Sequence, residues 1–260
     1  MKQVLAKETP VTRGLSRRKA LNLIGAIAAA PFLWWARGRP ASGEPTGTSN
    51  QTPTRTTTAT TPSCVVRPQQ TEGPFFVDER LNRSDIRSDP SDGSVKKGLP
   101  LRLVIHVYRI DGGSCTPLLG AYVDIWQCDA LGAYSDVLGF FEDTRGKKFL
   151  RGYQVTDAVG KAEFMTIYPG WYPGRTVHIH FKIRTYPKIE SGHEFTSQLY
   201  FDDSITGQVH TQSPYAARGR RTTTNAADGI FRHGGCQLVL NLVKDAQGYA
   251  GTLDIGLRMT

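Results

Sequence analysis

Only four cysteines occur in the 260 residues, at Cys64, Cys115, Cys128 and Cys236. None forms a Cys-x-x-Cys pair or stands at ligand spacing from a histidine, which removes the familiar zinc-finger and zinc-ribbon classes. Two disulfides are expected instead, in a compartment where thiols are not kept reduced, with three pairings open. No segment carries a sustained helical stripe with caps, so a helical bundle is excluded. No internal repeat is visible, which excludes solenoids and propellers. The apolar run Leu21–Trp35 is interrupted by Asn22, Gly25 and Pro31 and is too short for a comfortable membrane span.

Acidic residues are scarce at the start of the chain. Of the net charge of +9, the first 42 residues carry +7, from eight basic side chains and the single acid Glu8, which leaves +2 for the rest. Phosphate binding needs a basic stripe on a folded surface, so this distribution argues against a nucleic-acid partner. The charge belongs to an address segment. Ser16-Arg17-Arg18-Lys19-Ala20-Leu21 ahead of a modest apolar stretch resembles a twin-arginine export signal, with Ala20 where that signal usually has Phe. Residues 1–42 are therefore expected to be a signal or, alternatively, a retained anchor that tethers the chain to a membrane. The folded part is expected outside the cytoplasm: periplasmic, cell-surface or extracellular. Residues 43–63 are dominated by Thr, Pro, Ser and Gly and read as a disordered linker.

From residue 64 to 260 the pattern has period two. Leu101, Leu103, Ile105 and Val107 alternate with Arg102, His106 and Tyr108. Further strands are expected at Tyr122–Gln127, Gly152–Val155, Ala162–Ile167, Val177–Ile183, Ser197–Phe201, Gln237–Val243 and Thr252–Arg258. Clusters such as Asp111-Gly112-Gly113 separate them. Short strands at such spacing predict an all-β antiparallel sandwich with long connecting loops.

The strongest chemical signal is Val177-His178-Ile179-His180-Phe181. On a strand the apolar residues face the core and both imidazoles share the other face, about 7 Å apart along the chain and able to converge on one metal. Two histidines on a solvated face is the plain alternative. Tyr172 lies in the turn-rich Tyr168-Pro169-Gly170-Trp171-Tyr172-Pro173-Gly174, and Tyr134 follows a strand and a Gly-containing turn. Either tyrosine taken alone reads better as a packed aromatic at a strand end.

Thr71-Glu72-Gly73-Pro74-Phe75-Phe76, Val123–Ser135 and Pro169–Phe181 together resemble the intradiol ring-cleavage dioxygenases, across essentially the whole folded part. The resemblance implies Fe(3+) held by Tyr134, Tyr172, His178 and His180, with a catechol-type diol and O2 as substrates and a cis,cis-muconate-type diacid as product. Ferric iron is a hard Lewis acid that pairs well with oxygen anions, and a tyrosine neutral at pH 7 becomes a phenolate when bound to it. The resemblance further implies that Tyr172 leaves the metal and accepts a proton. By the same resemblance, Arg175 stabilises negative charge on the ring, and Gln198 faces the substrate. Phe75-Phe76 replaces an aromatic pair often built from tyrosines, and the segment from Tyr172 to His178 is short, which implies a more open site. The helix-mediated dimer of cytosolic relatives is not expected, and the oligomeric state is left open. His106, His193, His210 and His233 need no metal and read mainly as surface or capping residues. Two other readings compete: an exported β-sandwich binding module without catalysis, and a copper or zinc site built on His178 and His180. Neither copper nor zinc explains a paired use of tyrosines.

Overall fold

Strand β1 (Pro100–Asp111) shows why this chain forms sheets. Leu101, Leu103, Ile105 and Val107 are fully buried, while Arg102 and Arg109 are exposed. Branched side chains at Val104, Ile105 and Val107 suit a pleated surface better than a helix. In the computed structural model, residues 65–139, 142–185 and 192–259 are described. The expected signal and linker (1–63) and Cys64 lie outside the described residues.

Two sheets face each other. The first contains β1, β2 (Ser114–Pro117), β5 (Lys161–Ile167), β8 (Asn241–Lys244) and β9 (Tyr249–Arg258). One edge of β1 takes β5 along its first half and β2 along its second, both antiparallel. The other edge takes β9 in parallel, from Leu101 opposite Tyr249 to Ile110 opposite Arg258. The sandwich is therefore mixed, a correction to the all-antiparallel expectation. A parallel pair between chain segments so far apart needs a long crossover, and local patterning does not encode it. The second sheet is wholly antiparallel, in the order β4 (Arg151–Val155), β3 (Tyr122–Trp126), β6 (His178–Arg184), β7 (Glu194–Tyr200).

Between the sheets lies one core, with Leu103, Ile105, Phe164 and Ile255 from the first sheet meeting Val123, Ile125, Ile179 and Phe181 from the second. The outer face of the second sheet is covered as well. Residues 65–79 start at β9 of the first sheet, where Gly256 N–H donates to the Val65 carbonyl (2.9 Å), and form a strap across that outer face: Ser197 Oγ donates to the Pro68 carbonyl (2.7 Å), and Gln70 N–H to the Thr196 carbonyl (3.0 Å). Glu72 is ion-paired to Lys182, and Asp78 to Arg184 at 3.1 Å. Six consecutive residues of β6, from His178 to Ile183, are buried for this reason, although strict alternation would leave half of them wet.

Three further departures from the sequence reading have physical causes. A helix, α1 (Asp203–Val209), follows β7; Asp202 caps it by accepting from the Ser204 and Ile205 N–H groups. Seven residues are too few to show an apolar stripe. Gln237–Val243 is not one strand: Gly234 adopts φ 89°, a 3-10 turn covers Gly235–Leu238, and β8 begins only at Asn241. Cys115 is disulfide-bonded, whereas Cys128 and Cys236 are free thiols, so two disulfides do not form. No helix among the described residues is long and apolar enough to cross a membrane.

Adjacent positions on β1 give a test of the core assignment. Leu103→Ala should cost about 2–5 kcal/mol in urea unfolding, because its methyl groups leave a cavity between the sheets. Arg102→Ala, whose ion pair with Glu163 is exposed, should change stability by less than about 1 kcal/mol. Equal effects would contradict the facing of β1.

Candidate metal centre

Strand β6 carries His178 and His180 on the face under the strap, and β7 sets Tyr200 opposite His178 and Gln198 opposite His180. His178 Nδ1 lies 2.6 Å from the Thr176 carbonyl. A carbonyl only accepts, so Nδ1 holds the proton and the Nε2 lone pair is directed into the site. Around that Nε2 stand His180 Nε2 at 3.1 Å, Tyr172 Oη at 3.1 Å and Tyr134 Oη at 3.5 Å. The two histidines and two tyrosines expected as ligands are thus brought together.

Each tyrosine arrives on a braced loop. After β3, Asp129 Oδ1 accepts from the N–H groups of Leu131 and Ala133, closing a tight turn that delivers Tyr134. Beyond it, Thr144 Oγ1 donates to the Tyr134 carbonyl at 2.5 Å. The buried Arg151 donates to the Ser135 carbonyl and, through Nη1, to the Phe75 carbonyl at 2.6 Å. Burial lowers the Arg151 pKa to about 10, which leaves it charged at neutral pH. The second loop crosses the first at Gly170, whose N–H donates to the Asp129 carbonyl at 3.1 Å. A Cβ there would sit 2.4 Å from the Ala130 carbonyl oxygen, so only glycine permits the crossing that brings Tyr172 beside Tyr134.

Aromatic rings close the centre. Phe75 stacks on Tyr134 at 4.5 Å and meets Tyr172 edge-on at 5.9 Å. Trp126 stacks on His180, with centroids 4.9 Å apart and ring planes 7° from parallel. Tyr134, Tyr172, His178 and His180 are all buried. Burial pushes the Tyr134 phenol well above its ordinary value and Tyr172 up to about 12, the latter against the pull of Arg175. Burial, seconded by Arg175, brings His178 down to about 3, and burial with the neighbouring imidazole lowers His180 strongly.

The donor set fits a small, hard cation. Two donors about 2.1 Å from one ion, at ordinary coordination angles, lie about 3.0–3.4 Å from each other, close to the separations around His178 Nε2. Four neutral donors turned toward one another in a dry pocket leave lone pairs poorly satisfied. His180 Nδ1 has no hydrogen-bond partner among the described residues, so its ring is not committed elsewhere. A trivalent ion would take the phenol protons by stabilising the phenolates directly.

Arg175 and Gln198 also reach the centre. Arg175 Nη1 is 3.4 Å from His178 Nε2, and its Nη2 donates to Gln198 Oε1 at 2.6 Å. Gln198 Nε2 donates to the Thr71 carbonyl at 2.9 Å, tying the strap to β7. Sequence reasoning missed Trp126, Arg151 and Asp228. Trp126 stands opposite His180 in the register of β3 and β6, a pairing that only the structure reveals. The other histidines stay apart: His106 pairs with Asp254 at 2.9 Å, His210 caps α1 and contacts the Pro169 carbonyl, and His233 is exposed.

Residues 71–220 match the Dioxygenase family model. The chain is similar to the protocatechuate 3,4-dioxygenase beta chain of Burkholderia cepacia, 32% identical over 146 residues, covering 51% of this chain and 60% of that one. It is also similar to a catechol 1,2-dioxygenase of Candida albicans, 28% identical over 167 residues, covering 56% and 50% respectively. The chain therefore spans little more than half the length of these curated relatives. Among solved structures, an intradiol ring-cleavage dioxygenase from Tetranychus urticae superposes with a TM-score of 0.63 at 31% identity, covering 75% of this chain and 95% of that one.

The loop crossing yields a prediction. Gly170→Ala should lower stability by about 1–3 kcal/mol or more in urea unfolding, because two backbones would have to separate. A variant as stable as the parent would show that the two tyrosine loops are not locked there.

Proposed function

This chain belongs to the intradiol ring-cleavage dioxygenases, and from that premise we propose that it opens a catechol-type ring between its two hydroxyl carbons. Both atoms of O2 enter the product, a cis,cis-muconate-type diacid, so no further oxidant or reductant is needed. The observation that carries the reading is the approach of Tyr134 Oη, Tyr172 Oη and His180 Nε2 to within 3.5 Å of His178 Nε2.

In this reading Tyr134, Tyr172, His178 and His180 hold ferric iron, matching hard oxygen donors and imidazole to a hard ion. Bound there, the iron would supply Lewis acidity, gathering both substrate oxygens and drawing electron density from the ring. The chain's own residues do the rest. Tyr172 Oη, a phenolate when iron is bound, would accept a proton from a substrate hydroxyl. Arg175 Nη1 faces the developing negative charge; a guanidinium remains charged when half-buried, so it can act at any working pH. Phe75 and Trp126 wall the centre with apolar surface and keep water away from the reacting carbon. A copper or zinc site on the two histidines would leave two buried phenols without a task.

Export is part of the same proposal, supported by the twin arginines at Arg17 and Arg18 and by the disulfide at Cys115. The proposed partners are a small aromatic diol and O2.

A visible absorption spectrum of the ferric chain tests this. A broad tyrosinate-to-iron band that shifts on adding catechol is expected, together with oxygen uptake. Tyr134→Phe and His178→Ala should remain folded yet lose more than about 100-fold in turnover, beyond the loss seen for outer-shell partners of metal ligands. A colourless chain, or full turnover in either variant, would refute the ligand assignment.

A further inference from the structure

Each donor-bearing nitrogen of the Arg175 guanidinium has its own direction. Nε donates to Asp228 Oδ2 at 2.8 Å, Nη2 to Gln198 Oε1 at 2.6 Å, and Nη1 turns toward His178 Nε2. Asp228 is fully buried and lies 53 positions further along the chain. It cannot follow the arginine, because backbone donors hold both of its oxygens. Oδ1 accepts from the Ile230 and Phe231 N–H groups at 2.8 and 2.9 Å, and Oδ2 accepts from the Thr176 N–H at 2.7 Å.

Thr176 links this anchor to the imidazole. Its N–H binds Asp228, and its carbonyl takes the Nδ1 proton of His178 at 2.6 Å. Its hydroxyl is held in turn by Asn225 Oδ1 at 2.7 Å. One carboxylate thus fixes the guanidinium directly and the backbone that orients the histidine indirectly. The charge matters as much as the geometry. A guanidinium this close to a bound cation would be pushed outward, and a buried anion on its far side opposes that push.

Building on the ring-cleavage reading, we propose that Asp228 is a positioning residue. It aims Arg175 Nη1 at the substrate and, through Thr176, keeps His178 Nε2 directed at the metal. It touches neither substrate nor metal itself.

The test combines kinetics with a measurement that does not depend on turnover. Asp228→Asn keeps the shape and removes the charge. It should lower kcat for catechol about 30- to 100-fold, the scale of a misaimed catalytic donor, with KM changed by less than about threefold. The tyrosinate-to-iron band should persist. Beside Arg175→Gln, the Asp228→Asn change should cost far less than its roughly 30- to 100-fold loss in the parent, the remainder being the path through Thr176, since residues that act as a unit are not additive. Losses that multiply would overturn the proposal.

The second arm is the arginine Nε–H spectrum of the full chain by NMR without iron, with the Arg175 signal identified by its loss in Arg175→Gln. In the parent this proton should exchange slowly, and in Asp228→Asn it should exchange as in a free arginine. Fast exchange in the parent would overturn the proposal even if the Asn variant failed to fold. A parent that cleaves no diol would refute the ring-cleavage reading while this arm still decided whether Asp228 holds Arg175.

Discussion

The 2.6 Å contact between His178 Nδ1 and the Thr176 carbonyl determines what the centre can be. An imidazole with its proton fixed on Nδ1 has one lone pair to offer, at Nε2, and the strand decides where that lone pair points. Were the tautomer reversed, Nε2 would carry a proton into a space already holding two phenols, a second imidazole and a guanidinium. The rest of the molecule serves this orientation. Strand β6 supplies the spacing to His180, the strap removes water, and two loops bring the tyrosines to the same point.

Removing water has a cost that the structure meets in stages. A buried polar atom without a partner costs about 1–3 kcal/mol, and among the described residues Trp126 Nε1 and His180 Nδ1 are such atoms at the centre. Burial keeps the phenols and imidazoles neutral, which avoids the larger cost of isolated charges. The charged guanidinium groups that reach the centre are compensated or widely shared: Arg175 has Asp228, and Arg151 spreads its donors over the Ser135 and Phe75 carbonyls. An ion at the focus would satisfy the lone pairs that remain. Rigidity follows from the same contacts, since the Gly170 crossing and the Arg151 bridge tie both loops and the strap into one unit.

Strands could be read from the chain wherever one face is apolar, because a period of two is local information; β3, β5 and β6 fall within a residue of where alternation put them, and β1 runs three residues past Tyr108. The His-x-His strand was visible for the same reason. The parallel pairing of β1 with β9 was not, because strand partners far apart in sequence leave no local mark. Helix α1 escaped through brevity, and the stretch before β8 misled because its apolar residues alternate while Gly234 bends the backbone out of register. Tyr134 and Tyr172 stood out beside turns near the His-x-His strand, but only resemblance to a family made them ligands; as isolated tyrosines they say little. Asp228 is the clearest case of hidden information. Asp-Gly before an irregular segment reads as a turn, and nothing in its spacing from Arg175 announces an ion pair across 53 positions.

Charge balance gives a reason for the pairing of Arg175 with Asp228 on the proposed function. A trivalent ion bound by two phenolates retains one positive charge. A diol that has lost both protons brings two negative charges and would leave one in excess. If Tyr172 Oη takes up one of those protons, the buried centre returns to neutrality, which a low-dielectric pocket favours. That accounting needs the nearby fixed charges offset; Glu79 and Asp136 act on Arg151 in this way, which leaves Arg175. A lone Arg175 would bias the centre toward retaining the Tyr172 phenolate, opposing its protonation as the substrate binds. With Asp228 on its far side, the guanidinium presents a directed donor to the ring with little net charge to the whole site. The carboxylate buried behind the arginine thus allows one residue to stabilise charge locally without upsetting the proton transfer at its neighbour.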